Sequence, residues 1–488
     1  MNILFVTAEA SPFAKVGGLG DVIAAGSLPT ALRHIGMDAR VVMPLYGTIN
    51  YSKYNLKPYF TFTLPRRDGD VTIQIHHTVW HDVPFYFIES WPFFGEEHTV
   101  YTGWEWDMGR FVFFCQAAMA VSWELKQREE WFPNIFHVND WHTGLIPFFL
   151  KLSANEPFWG DVRSMISLHN VAYQGEYVSG FVYPLGIPDR NHPVLKRLGL
   201  SDNMLATGIA YSDFVSTVSP RYADEIQYPY MGYGLDELIR ARADEGRLYG
   251  ILNGIDVAQF DPATDKNLAV NYDETTFEAA RKENKRRLQL DAGLEVRDDV
   301  PVIGIVSRIV QQKGLDLAIP ALRRLLEEED EVQLIALGTG ELDLSHALWQ
   351  LGHDFFYKAR TFIMYDPAIA QRIYAGADLF LMPSHYEPCG IGQMIAMRYG
   401  SLPVVRETGG LADTVDNYDN GDGDIGTGFV FQWEEADAVY GTLRWALDTY
   451  RDALPAFRRM QHRAMERDFS WKRSAEVYRS LYEQMLSF

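Results

Sequence analysis

The chain is built from short apolar runs that stop at clusters of Gly, Asn, Asp and His, with stretches of helical spacing between them. The first run, Ile3-Leu4-Phe5-Val6-Thr7, is continuous and does not alternate, the pattern of a parallel strand buried on both faces. A Gly-rich turn follows, Lys15-Val16-Gly17-Gly18-Leu19-Gly20-Asp21-Val22, and residues 22–33 have the spacing of a helix. Further strands are predicted over 39–43, 71–75, 85–88, 133–138, 165–168 and 214–219, so the first half reads as strands alternating with helices. The apolar stretch 111–121 is broken by Gln116 and too short to span a bilayer; it reads as a buried helix.

The pattern changes near Asn253-Gly254-Ile255-Asp256. Residues 257–265 read as a link, and 276–292 as a charged helix opened by a capping box of Thr275 and Glu278. A second strand–helix series then begins, with strands predicted at 302–306, 332–337, 378–382 and 402–405. The tail, 470–485, is amphipathic, with Trp471, Val477, Tyr478, Leu481 and Tyr482 at helical spacing, and needs a surface to cover.

Polar clusters sit where these strands end: Asn139-Asp140-Trp141-His142, His169-Asn170-Val171-Ala172, Ser307-Arg308, Pro383 to Gly390 and Thr408-Gly409-Gly410. Open α/β sheets bind ligands at the carboxyl ends of their strands. The expected architecture is therefore α/β, two Rossmann-like domains with parallel sheets whose strand ends face across a deep cleft.

A length of 488 residues suits two or three domains. A net charge of −21 argues against nucleic acid and anionic membranes as partners, and any phosphate site must be basic locally. Two cysteines, Cys115 and Cys389, form no disulfide framework, and no leader segment precedes the first strand, so a cytoplasmic location is expected. Aromatic residues crowd 80–106, either as packing or as platforms for sugar faces. The acidic loop 419–424 lacks the EF-hand order of ligands, so no metal site is assigned there.

Lys15, Arg308 and Lys313 stand beside strand-end loops in which Gly17-Gly18, Gly390 and Gly409-Gly410 offer backbone amides, a set suited to a diphosphate. The same glycines also fit turns that only permit close packing. Asp140 and Glu387 suit sugar hydroxyls or helix caps. The Lys15 turn is neither a dinucleotide fingerprint nor a P-loop.

Taken together, the Lys15 turn, His137-Val138-Asn139-Asp140-Trp141-His142, His169-Asn170-Val171-Ala172-Tyr173-Gln174-Gly175, Asn253-Gly254-Ile255-Asp256, Ser307-Arg308 with Gln312-Lys313-Gly314-Leu315-Asp316, Glu387-Pro388-Cys389-Gly390, Thr408-Gly409-Gly410-Leu411 and Asp468-Phe469-Ser470-Trp471 resemble, in order and end to end, the bacterial glycogen synthases and plant starch synthases. The resemblance implies a GT-B fold with an N-terminal acceptor domain (1–255), a C-terminal donor domain (256–469) and a terminal helix (470–488) packing back on the first. It implies transfer of glucose from ADP-glucose to the non-reducing end of an α-1,4-glucan, with retention and with neither metal nor cofactor. Lys15, Arg308 and Lys313 would then bind the diphosphate, with amides from Gly18, Thr408, Gly409 and Gly410. Asp140, Asn170 and Glu387 would hold glucose and ribose. His169 would place its carbonyl and ring at the anomeric carbon, and Tyr365 would stack on the base. Asp21, Asn253, Cys389 and Gly390 join the donor site by their places in these motifs.

The chain also departs from the family: Ile391-Gly392 replaces a frequent Leu-Thr, His385 a frequent Arg, and Asn139 a frequent His or Cys; Ile395 stands where many retaining GT-B enzymes carry a second Glu, a position at which this family commonly has an uncharged residue. The alternatives are a retaining GT-B enzyme that uses UDP-glucose and a non-catalytic glucan-binding homologue.

Overall fold

The computed structural model describes residues 1–24, 26–96, 98–103, 105–420 and 425–487. The chain divides into two units, Met1–Gly254 with Ser470–Phe488, and Ile255–Phe469.

The first unit is organised on a nine-stranded sheet: β1 (Asn2–Val6), β2 (Asp38–Pro44), β3 (Lys57–Leu64), β4 (Val71–Trp80), β5 (Val83–Glu89), β6 (Ile135–Asn139), β7 (Arg163–Leu168), β8 (Phe214–Thr217) and β9 (Leu248–Gly250). Their order is β3-β4-β5-β2-β1-β6-β7-β8-β9. β1 is central and parallel to both β2 and β6, so the strand order reverses there. Ile3, Leu4, Phe5 and Val6 are fully buried, as expected for a strand covered on both faces.

The first unit departs from the expected pattern. The segment before β6 does not simply alternate strand and helix. β3, which the sequence reading passed over, pairs antiparallel with β4, and β4 turns back into β5 through His81 and Asp82, both at positive φ. Nor is 22–33 one helix. It divides into Leu19–Val22 and Leu28–His34, because Gly26 adopts φ +89° and Pro29 starts a new helix. The buried helix around 111–121 is longer than expected, Trp106–Glu129.

The terminal helix, Trp471–Leu486, belongs to the first unit and lies against Leu28–His34. Tyr482 Oη contacts His137 Nδ1 at 2.6 Å, and His137 Nε2 meets Ser167 Oγ at 2.6 Å, so one buried imidazole ties the tail to β6 and β7. Burial pushes that imidazole down to about 3. Val477, assigned to the apolar stripe, is exposed, while Trp471, Tyr478, Leu481 and Tyr482 are buried.

The second unit holds a six-stranded, all-parallel sheet: β10 (Val302–Ile309), β11 (Gln333–Gly340), β12 (Ala359–Ile363), β13 (Leu379–Met382), β14 (Leu402–Arg406) and β15 (Phe429–Phe431), ordered β12-β11-β10-β13-β14-β15. Here β10 is the strand at which the order reverses. Residues 257–265 are not slack chain. Arg398 donates to the Phe260 and Val257 carbonyls at 2.5 and 3.1 Å, and the Tyr399 hydroxyl donates to Asp265 at 2.8 Å.

The expected capping box at Thr275 and Glu278 does not form. Asp273 Oδ1 instead accepts from the amides of Thr275 and Thr276 at 3.0 Å each and from both hydroxyls, which pushes its carboxyl down to about 2. Residues 421–424 of the acidic loop lie outside the described residues, as does Trp104 of the aromatic stretch. Among the described residues, no helix is long and apolar enough to cross a membrane.

Candidate active site

In each unit the candidate residues gather at the carboxyl ends of the strands flanking the reversal point, where a doubly wound sheet leaves a crevice. In the first unit these are the loops after β1, β6 and β7.

The loop after β1 carries Lys15 and the glycines, but its organiser is Glu9. This carboxylate is only 3% exposed. Its Oε2 accepts from the Val16 and Gly17 amides at 2.6 and 2.8 Å, and its Oε1 accepts from the Tyr101 hydroxyl. The Gly17 amide expected to face a phosphate is therefore satisfied by the protein's own anion. Gly18 is exposed, and among the described residues nothing accepts from its N–H. Lys15 Nζ reaches Asp21 Oδ1 at 2.6 Å. A Cβ on Gly20 would lie 3.0 Å from the Lys15 Cγ, so that glycine makes room for the lysine stem. The Asp21 carboxyl is raised, burial outweighing the attraction of Lys15. Glu9 escaped the sequence reading. The available signal was a lone acid between alanines directly after a buried strand.

The loop after β6 starts at Asp140, which holds φ +53° and ψ −170°, a backbone state costing on the order of 1–3 kcal/mol in a residue other than glycine. Its carboxylate caps no helix: Oδ1 accepts the His169 amide at 2.7 Å, joining the loops after β6 and β7. Burial pushes the Asp140 carboxyl up to about 7, the Glu9 charge adds to this, and the amides of His169 and Asn170 oppose it. Asn139 Nδ2 donates to the Val6 and His137 carbonyls at 3.1 and 3.3 Å, so its Oδ1 faces His169 Nε2 at 2.9 Å as an acceptor. That fixes the proton of His169 on Nε2, and burial drives its pKa down to about 3. His142 lies under Tyr101 with ring centroids 5.1 Å apart and is likewise pushed down to about 3, by burial first and His169 second. Asn170 Oδ1 accepts from the Ala172 amide at 3.1 Å.

In the second unit the loops after β10 and β13 meet. Lys313 Nζ pairs with Glu387 Oε2 at 2.5 Å, and the Ser384 hydroxyl donates to the same oxygen at 3.2 Å. Glu387 is 5% exposed. Of its two expected uses, the helix cap gives way to this ion pair. Arg308 is exposed and extends toward Gln312 Oε1, 3.5 Å away.

The glycines after β14 do more steric work than expected. A Cβ on Gly409, which has φ +44°, would lie 1.9 Å from the Glu387 carbonyl oxygen, and one on Gly410 would lie 1.9 Å from that of Cys389. The Gly410 amide already donates to the Glu387 carbonyl at 3.1 Å, so it is not an unused phosphate donor. Thr408 occupies the cap position of the short helix Gly409–Thr414. Cys389 and Gly390 are anchored by Gln393, whose Nε2 donates to their carbonyls at 3.1 and 3.2 Å.

Three candidates stand apart within their units. Asn253 is buried; its amide donates to Val218 O at 3.3 Å, and its Oδ1 has no donor among the described residues. Tyr365 is 82% exposed beyond β12, and among the described residues Arg308 has no hydrogen bond or ion pair to another candidate.

Residues 2–241 match the family model of the starch synthase catalytic domain, and 287–464 match glycosyl transferases group 1. The chain is 40% identical over 491 residues to the glycogen synthase of Streptococcus sanguinis, covering 100% of each. It is 42% identical over 492 residues to that of Caldicellulosiruptor saccharolyticus, again with 100% of each covered. Its structure is similar to the catalytic domain of Starch Synthase IV from Arabidopsis thaliana bound to ADP and acarbose, with a TM-score of 0.87 and 30% identity over 100% of this chain and 99% of that one. The fold class expected from the motifs, GT-B with two largely parallel α/β sheets, stands. With strand order, site loops and full-length similarity in agreement, the chain belongs to the glycogen synthase and starch synthase family of glucosyltransferases.

Proposed function

We propose that this protein elongates an α-1,4-glucan by transferring glucose from ADP-glucose to its non-reducing end, with retention at the anomeric carbon. The observation that carries this reading is the full-length similarity to glycogen synthases in a chain whose reversal-point strand ends and loops hold Lys15, His169, Arg308, Lys313 and Glu387. The first unit is assigned the acceptor and the second the nucleotide sugar.

Lys15, Arg308 and Lys313 are assigned to the diphosphate, whose negative charge grows as the glycosidic bond to it breaks; fixed cations stabilise that charge in the transition state. Lys313 is already paired with Glu387, so donor binding exchanges a carboxylate for a phosphate. Glu387 and Asp140 are then placed to accept from sugar hydroxyls, with Asn170 beside Asp140. Gly18, Asp21, Asn253, Cys389, Gly390, Thr408 and Gly409 complete the proposed donor shell, Gly410 only lets the chain pack against Cys389, and Tyr365 stacks on the base. His169 is neutral, with Nε2–H committed to Asn139, so its contribution to an oxocarbenium-like centre comes from its carbonyl and its ring face and not from a mobile proton. The reaction is placed in the cytoplasm, in keeping with only two cysteines in 488 residues.

The test is initial-rate incorporation of glucose into glycogen from ADP-glucose and UDP-glucose, side by side in EDTA. Faster transfer from ADP-glucose is the expected result. Preference for UDP-glucose would overturn the nucleotide assignment and point to Ile391-Gly392. No transfer from either would return the chain to a glucan-binding role.

A further inference from the structure

The loop after β13 is held to the loop after β10 by a second charged contact. His385 Nε2 lies 2.8 and 3.0 Å from the two carboxylate oxygens of Asp316, and its Nδ1 lies 2.5 Å from Glu434 Oε1. Both ring nitrogens thus face carboxylates. A neutral imidazole has one N–H and one lone pair, so only the imidazolium satisfies both contacts. Neutral His385 would turn a lone pair toward one carboxylate.

The surroundings agree with this protonation. From the first turn of the helix Leu315–Glu328 comes Asp316, and from the segment after β15 comes Glu434. The cation facing the group is Arg406 of β14, which gives Nη2 to Glu434 at 3.0 Å and Nη1 to the His385 carbonyl at 2.8 Å. Gln312 accepts the His385 amide at 2.9 Å. Burial lowers the His385 pKa, but the bonds to Asp316 and Glu434 more than offset it, and the net shift is upward.

Asp316 lies three residues after Lys313, and His385 two residues before Glu387. The same two loops are therefore stapled twice with opposite polarity, cation to carboxylate at Lys313–Glu387 and carboxylate to cation at Asp316–His385. We propose that His385 is a positioning residue that, as an imidazolium bridging Asp316 and Glu434, holds the Lys313 and Glu387 loops in register for the nucleotide sugar and makes donor affinity depend on pH. The proposal rests on the donor role assigned to these loops above. The sign follows from the upward shift: the staple is complete below the ordinary histidine pKa of about 6.5 and is lost as the pH rises through the raised value. The backbone bond from His385 to Gln312 persists, so the loops loosen but do not separate.

The test measures kcat and KM for ADP-glucose between about pH 6 and pH 9 in the wild type, His385→Arg and His385→Gln. The wild-type KM should rise about fivefold across that range with one ionisation, and kcat should change less. His385→Arg should abolish that rise, since a guanidinium keeps its charge, and His385→Gln should show the high KM throughout. A KM–pH curve unchanged in His385→Arg overturns the proposal. A parallel NMR titration of the His385 ring separates this from the donor assignment. A ring that titrates at or below 6.5 overturns the staple whether or not ADP-glucose is turned over, and a raised ring pKa without turnover overturns the donor role alone.

Discussion

The two units treat a lysine beside a buried carboxylate in opposite ways. In the first, Glu9 is bonded to two backbone amides and a phenol, and Lys15 points instead to Asp21. In the second, Lys313 is bonded directly to Glu387. A carboxylate on amides shapes a turn and leaves the lysine to a partly exposed partner. A carboxylate on the lysine itself holds that cation in place, and in the proposed function a phosphate takes over from it. The buried histidines near the first unit's candidate loops and His385 of the second show the same divide. His137, His142 and His169 of the first unit are enclosed without a carboxylate on the ring and are pushed down to about 3, whereas His385 of the second is flanked by two carboxylates and is raised. Residue type alone decides neither charge nor role; the partner that the fold brings to it does.

Breaking the second unit's pair has the largest expected effect. Lys313→Ala should lower kcat/KM for ADP-glucose by about 10²–10³-fold, the usual loss for one transition-state charge donor. Glu387 would lose its cation as well, so a melting point lower by a few degrees is expected alongside. A loss of stability with an unchanged kcat/KM would reduce this pair to a structural one.

Next comes the first unit's response to acid. Below about pH 6.5 the unfolded chain protonates His137, His142 and His169 while the folded chain does not, so their stability contribution is lost as the pH falls from 6.5 toward about 3. Asp140 acts oppositely. Its raised carboxyl makes the fold less stable as the pH rises from about 3.9 toward 7. Three histidine protons against one aspartate proton leave a net loss on acidification, each unmatched proton contributing about 1.4 kcal/mol per pH unit. Denaturant unfolding at a series of pH values measures this slope, and His137→Gln should reduce it by one proton.

Glu9→Gln sharpens the contrast from the other side. The amide oxygen can still accept from Val16 and Gly17, but the charge is gone. A loss of about tenfold in kcat/KM is expected, and the Asp140 carboxyl, followed by carbon NMR of labelled aspartate, should titrate lower because the Glu9 charge helps to raise it. An unmoved Asp140 would show that burial alone sets its pKa. The smallest effect is expected at Tyr365→Ala. This ring is exposed, so KM for ADP-glucose should rise about threefold with no change in melting temperature.

Much of this arrangement was legible along the chain. Ile3 to Val6 and Val302 to Val306 announced the central strands because a strand buried on both faces must be apolar throughout. Their polar ends announced the loops that hold the candidate residues, and the motif order announced the family. Less was legible where two local signals competed. Thr275 and Glu278 have the spacing of a capping box, yet Asp273 takes the Thr275 amide that Glu278 would have bonded, and the Thr276 amide with it. Residues 22–33 have helical spacing, yet Gly26 and Pro29 divide them.

What the sequence determined by itself was periodicity, the places where strands stop and the residue types at those stops, since these depend only on neighbours along the chain. The tertiary structure alone decided the pairings. Glu9 meets Tyr101 across 92 positions, Asp140 the amide of His169 across 29, Lys313 Glu387 across 74, and His137 Tyr482 across 345. Charge, proton position and pKa are set at distances of a few ångströms in space, and separation along the chain carries no record of which residues the sheet order will bring that close.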